Sequence, residues 1–472
     1  MTDTATRAGA VSRAALEARL ATSPAWLAGR RTTAWDAFTA LPKPSSMRDE
    51  DWRRTDIAKL TVEDFQEPLT DDDSLLERAR SRHAQALPEA ALLLCSADGT
   101  TAIENAEPLL AQGVIVASLE EAVLRHPELV QRGLSGIGAG DSYFLALWNA
   151  LWRGGAFVYV PRGAQAGTPL WISHLAAPAG AAGFPATVVV VDAEGSLTLV
   201  EDHVGSDDEA PRLSVSATAI HLSDRSRLDD VPIQQLPPGT WQVSTRRATC
   251  AAAARYRLIG ASLGSRLQKA YWDVMLEGQA SEADIFGVCF AAQQQHLDHQ
   301  SLQLHRGRDT RSRLLLKVAA RDRAQSVYSG LIDVEPDAVH ADGYVINRNL
   351  LLTHGASASG VPRLEIKAND VRCGHGTTVG HVDDDERFYV MSRGIPAEEA
   401  ERLIVGGFFA DCLDHVAQES LRAWLVAALE AEAVGSLSGA PASAGGGLAT
   451  GSGAPGVRPG QGAGALPVGA GS

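Results

Sequence analysis

Basic residues are in short supply in this chain: 42 Lys and Arg stand against 57 Asp and Glu, a formal net charge of -15 over 472 residues. Phosphate backbones are bound by clustered Lys and Arg, so nucleic acid is excluded as a main partner, and the acidic excess reads as solubility. No run of about 18 apolar residues is present to cross a bilayer, and no positively charged start leads into an apolar stretch of export-signal length. The chain is therefore expected to be cytoplasmic, with no membrane partner. The five cysteines, at 95, 250, 289, 373 and 412, form no CxxC pair, which excludes a zinc knuckle and a thioredoxin motif. Their wide spacing also argues against a self-contained ferredoxin-type cluster. No Gly-x4-Gly-Lys-Ser/Thr occurs, so the chain carries no phosphate-cradling P-loop.

What is present changes texture along the chain. Residues 1–150 read as mainly helical, with apolar periodicity through Ala14, Leu16 and Leu20 and again through Trp35, Phe38 and Leu41, further helices near Ser74–Gln85 and Leu119–Arg125, and a strand near Ala91–Cys95. After Gly154-Gly155, short apolar runs such as Phe157–Val160, Leu170–Ile172, Thr187–Val191 and Leu314–Val318 alternate with turn residues. That pattern predicts a β domain over 151–392, and its irregular spacing favours stacked coils over a hairpin meander. From 393 to 434 the pattern is helical again: Pro396 with Glu398 and Glu399 suits a helix start, and Leu403, Ile404, Phe408, Cys412, Val416, Leu421, Leu425 and Leu429 form an apolar stripe that must be covered. Residues 435–472 hold 13 glycines in 38 positions and one charge, Arg458, too little apolar bulk to order a backbone, so this tail is expected to be disordered.

The most informative stretch is Val371-Arg372-Cys373-Gly374-His375-Gly376-Thr377. In an extended segment residues i and i+2 project from one face, so Cys373 and His375 point at one spot as half of a soft-metal site. The alternation in Leu364-Glu365-Ile366-Lys367 puts the pair at or just beyond a strand end.

The segment Leu364–Gly380, followed by Phe388-Tyr389 and Ser392-Arg393-Gly394-Ile395, resembles the signature of the SufB/SufD family of iron–sulfur cluster assembly proteins, in its SufD form. Asp51-Trp52-Arg53-Arg54-Thr55-Asp56 is similar to that family's N-terminal Trp-Arg-Tyr-Thr element, with Arg54 where tyrosine is usual, and Leu147–Trp152 through Val158–Pro161 is similar to its entry into the β domain. Gly374 stands where serine is common. The resemblance spans roughly residues 35 to 430. It implies a right-handed parallel β-helix core between N- and C-terminal helical regions. It further implies a non-catalytic scaffold subunit that pairs with a SufB paralogue and binds the SufC ATPase through the helices after Pro396. On this reading a transient iron–sulfur cluster is shared across the subunit interface and not held stably by this chain alone, with His375 as its ligand here and Cys373 beside it.

Each feature has a plainer reading. His375 alone reads as a structural histidine; Cys373 and the resemblance reverse that. Cys373 fits equally a small buried hydrophobe. His299 and His305 are expected to be structural, and Cys250, Cys289 and Cys412 to be packing residues. Asp383-Asp384-Asp385-Glu386 lacks the spaced oxygens of a calcium loop and reads as a solvated turn. Asn347 and Asn349 read as stacked amides satisfying turn backbone. The rival functions are a SufB-type paralogue and, from another class, a β-solenoid enzyme acting on polysaccharide, which would need two carboxylates across a groove.

Overall fold

In the computed structural model, residues 9–68 and 73–438 are described. The tail from 439 onward lies outside them, and the last helix, Glu419–Ser438, runs past Gly435.

The core is a parallel β-solenoid. Consecutive strands are dealt alternately to two ten-stranded sheets, and each pairs in parallel with the strand one coil away. Strands from the N-terminal region join both sheets: Ala91–Cys95 enters one, and Ile115–Ser118 closes the other antiparallel to Ala156–Val160. Strict register stacks like positions into columns that run the length of the interior. One such column is Leu199, Asp230, Leu258, Ile285, Leu314, Val345 and His375.

Helices cover both outer faces. On one, Phe38, Phe144, Leu147 and Trp148 pack over Val188, Val215 and Val243. On the other, Leu75 and the helical pair Ala397–Leu413 and Glu419–Ser438 bury Val405, Phe409, Cys412, Leu421, Leu425 and Leu429 against Val288, Phe290 and Ala319. The covered stripe enters the first of these helices one residue later than its periodicity suggested: Val405 and Phe409 are buried, and Leu403 is 49% exposed. The segment similar to the family's N-terminal element acts as a latch. Lys269 and Asp298, both fully buried on the sheet's outer face, pair at 2.6 Å; Thr55 Oγ1 donates to the same carboxylate, and the Lys269 ammonium lies 5.0 Å from the Trp52 ring.

The interior is not uniformly apolar. Arg246 binds both Glu201 and Asp230, its bond to Asp230 measuring 2.7 Å; Tyr256 donates to Asp230 at 2.7 Å, and His174 lies 3.1 Å from Glu201. Burial alone would push the Glu201 carboxyl up, yet Arg246, His174 and His203 hold it well below the usual range; at Asp230 burial wins and the carboxyl is raised. Burial also lowers His203 to about 3 and His299 and His305 to about 4. These imidazoles are neutral when folded and take up protons near pH 6.5 when unfolded, so stability is fully present above about 6.5 and falls as pH drops toward 4. The expected cost at pH 4 is on the order of several kcal/mol, read as a falling thermal midpoint across that window. A midpoint that is flat between pH 7 and 4.5 would contradict it.

The coils turn on residues in the left-handed region: Glu194, Arg225, Ala253, Ala280, Asp309, His340 and Asp370 follow one another from coil to coil with φ between 53° and 64°. None is glycine, so the left-handed residue itself is not marked in the sequence, although Gly195, Gly278 and Gly307 lie within two residues of three of these corners.

Candidate functional site at the open end of the solenoid

The last two strands, Ser357–Ile366 and Arg372–His381, are each paired along one edge only, to Gln325–Val334 and Asp342–Leu351 respectively. Among the described residues no further coil or helix closes this end, and the residues of both strands are exposed or half-buried. Cys373 and His375 lie just past the end of Ser357–Ile366, as the second and fourth residues of Arg372–His381, and they share the inward face of that strand. Their register partners are Gly343 and Val345, and Val345 is 1% exposed in the solenoid interior. His375 is thus the final rung of a buried column, exposed because nothing stacks on it. Cys373 is half-buried against the core, and desolvation, with Asp342 nearby, raises its thiol above the ordinary value.

The two end strands approach closely. A Cβ on Gly360 would sit 2.4 Å from Thr377 Cγ2 and 2.7 Å from Asn347 Oδ1. Asn349 donates to Asn347 Oδ1 at 2.7 Å and to the Thr378 carbonyl at 3.0 Å, so these amides cross-link strands and do not serve a turn. On the outer face, the Arg313 guanidinium lies 5.0 Å from the Tyr344 ring, which flanks Gly374, and Tyr344 and Ile346 are 43% and 37% exposed.

The other candidates sit elsewhere. His305 is held by Thr310 and Ser312 at 2.8 Å each, and His299 by Ser262 at 3.0 Å with Cys289 Sγ at 3.6 Å. Cys95, Cys250, Cys289 and Cys412 are buried, and burial raises every one of their thiols, Cys250 and Cys412 to about 12. The acidic run is a helix start: Asp383 caps Asp384–Met391 through a 2.8 Å bond from the Asp385 N–H. Sequence reasoning missed the Glu201–Arg246–Asp230 network; its one signal is Glu201-Asp202-His203 inside an otherwise apolar strand. Among the described residues no three His, Cys, Asp or Glu side chains gather as a metal site, and no helix is long and apolar enough to cross a membrane. Cys373 and His375 thus stand as two donors on one face with no third gathered beside them among the described residues.

Comparison with known proteins follows the same outline. The family model for the SUF system FeS cluster assembly, SufBD core domain, matches residues 174–408, and that for the SufBD protein N-terminal region matches 13–172. The chain belongs to the SufBD family. The iron–sulfur cluster assembly protein SufD of Bacillus subtilis is 28% identical over 86% of this chain and 94% of its own length. A SufBD family iron–sulfur cluster assembly protein of Mycobacterium leprae is 31% identical over 65% of this chain and 79% of its own. SufB of Bacillus subtilis is 26% identical over 64% of this chain and 65% of its own. Within the family's core match lie both the interior column and the terminal Cys373–His375 pair, while the latch at Trp52–Thr55 falls in the N-terminal match.

Proposed function

We propose that this chain is a SufD-type scaffold subunit of an iron–sulfur cluster assembly complex, and that its open solenoid end joins a SufB-type paralogue so that a nascent cluster forms between them. The observation that carries this reading is the exposed His375 at the end of a buried column, with Cys373 beside it and no third donor gathered there among the described residues. Clusters commonly take four protein ligands, so a neighbour must supply the rest. The unpaired edges of Ser357–Ile366 and Arg372–His381 offer a neighbouring chain backbone hydrogen bonds, which favours docking there. Alignment along 94% of a SufD but 65% of a SufB supports the SufD form over the SufB-type alternative. The role is that of a non-catalytic subunit working in the cytoplasm; the cluster is cargo, held transiently.

ATPase docking is assigned to the helical pair Ala397–Leu413 and Glu419–Ser438. Its outward side holds a cavity of ≈ 610 Å³ with an apolar floor of Leu403, Gly406, Ala410, Ala423 and Val426 and charged Asp414, Glu419, Arg422 and Glu430 also lining it, while Lys317 bonds the Phe408 carbonyl at 2.6 Å and ties the pair to a core strand. Force on these helices therefore reaches the solenoid, and a shift there weakens a jointly held cluster on one side. Co-expression with a SufB-type protein and a SufC-type ATPase tests both assignments. The full chain is expected to co-purify with both, and a chain ended at residue 395 to lose the ATPase at least about tenfold. Undiminished ATPase binding by the shortened chain would refute the docking assignment.

A further inference from the structure

A cavity of ≈ 390 Å³ opens on the N-terminal helical layer, far along the chain from the terminal Cys373–His375 pair. Its walls come from the junction of helices Arg13–Thr22 and Ala25–Ala40, from helix Leu119–Arg125, and from the Trp152-Arg153 turn that leads into the first core strand. Arg31 lines it and is 3% exposed. Its guanidinium donates to Ser23 Oγ at 3.1 Å, to the Ala150 carbonyl at 2.9 Å and to the Trp152 carbonyl at 3.0 Å, and it lies 4.3 Å from the Trp152 ring. All of these oxygens are neutral, so the hydrogen bonds position the cation without a carboxylate partner; the opposing charge that acts on it is the exposed Glu120 on the same cavity wall, and burial outweighs it. A buried charge without a counter-charge is costly, and burial, with Arg19 next, pushes this guanidinium down to about 9.

The nearby charges do not cancel it. Arg19 is committed to Glu67, both of whose oxygens lie 2.9 Å from its Nη2. Glu120, which also lines the cavity, accepts from the Gly154 N–H at 3.0 Å, and the exposed Arg153 lines it too, so the wall carries Arg31, Arg19 and Arg153 against one carboxylate outside the Arg19–Glu67 pair. Two further donors are unused. The buried Trp152 Nε1 has no hydrogen-bond partner, and helix Ala25–Ala40 begins at Pro24 with no side-chain cap on its first N–H groups, beside the same cavity. Uncapped N–H groups and the positive end of the helix dipole favour an anion. Leu27, Val123 and Leu124 supply an apolar wall.

We propose that this cavity binds a small organic anion, its oxyanion head set against Arg31, Arg153 and the first turn of helix Ala25–Ala40, and its apolar body against Leu27, Val123 and Leu124. The proposal does not depend on the cluster-assembly reading. Carboxylate and phosphate heads share this chemistry, and titration of the full-length chain with benzoate and with phenyl phosphate separates them, benzyl alcohol being the uncharged control. The expected result is 1:1 saturation by one or both anions at roughly millimolar concentration or below, with no response to benzyl alcohol. Arg31→Lys, which keeps the charge and loses the planar fork, is expected to weaken binding about tenfold or more. Because Arg31 also ties its helix to the chain at 150–152, Leu124→Trp provides an independent check: the position is 66% exposed, and the larger side chain is expected to block the cavity with folding intact. Absence of saturation, an equal response to benzyl alcohol, or wild-type affinity in the Leu124→Trp chain would overturn the proposal.

Discussion

Co-expressed with a SufB-type partner and the ATPase, the His375→Ala chain is expected to assemble as the wild type does while the complex accumulates at most about a tenth of the iron and acid-labile sulfide. The separation of the two effects follows from geometry. His375 sits on an open strand edge, exposed, with Val345 behind it, so losing the imidazole opens no internal cavity. Backbone pairing along the same edge does not involve the side chain and survives the change. What is lost is the nitrogen donor at the exposed end of an inward column. Cys373 contributes differently: it is half-buried, its thiol raised by desolvation, and it becomes a good ligand only once a metal displaces its proton. Unchanged iron and sulfide on the His375→Ala complex would remove this residue from the mechanism.

Arg246→Leu is expected to destabilise the folded chain by about 3–5 kcal/mol at pH 7, because it leaves Glu201 and Asp230 buried without their shared counter-charge. The pH dependence separates this cause from simple loss of packing. Without Arg246 both carboxyls are raised above their unfolded values near 4, so the folded variant binds more protons than the unfolded chain and loses stability as pH rises. The deficit relative to wild type therefore narrows below about pH 5 and is widest near neutrality. Denaturation midpoints, with amide exchange across Ser196–Val204 and Thr240–Cys250, read both the size and the trend. A deficit independent of pH would assign the effect to lost packing. This fold is quasi-one-dimensional, so the loss is expected to centre on the coils around these strands.

Much of this architecture was legible before any coordinates. The helices at 73–86 and 119–125 and the apolar stripe from Cys412 to Leu429 follow from periodicity, because each has one face against a core, and the strand at Ala91–Cys95 follows from its unbroken apolar run, buried on both faces. The strands between Arg227 and Ala291 were not legible: interior positions such as Asp230, Gln234, Arg246 and Gln268 are polar, and the outer face carries Lys269 and Asp273, so the apolar alternation is broken on both faces. Irregular strand spacing favoured stacked coils, and the family resemblance supplied the right-handed parallel β-helix, since a corner such as Ala253 turns on a residue that does not announce a positive φ. At the site, the shared face of Cys373 and His375 was readable from their spacing. The open end was not, because exposure of an inward column depends on what fails to stack upon it. The Lys269–Asp298 latch under Trp52 and Thr55 joins residues more than 200 positions apart, beyond the reach of any local pattern.

The row of left-handed corners from Glu194 to Asp370 sets each turn of the chain by backbone geometry and not by a particular side chain. A molecule built this way can gain or lose a full floor without redesigning its staircase. The separation between the latched N-terminal layer and the histidine-bearing rim is then an inherited dimension that changes in whole steps, and any partner spanning both would have to change by the same step.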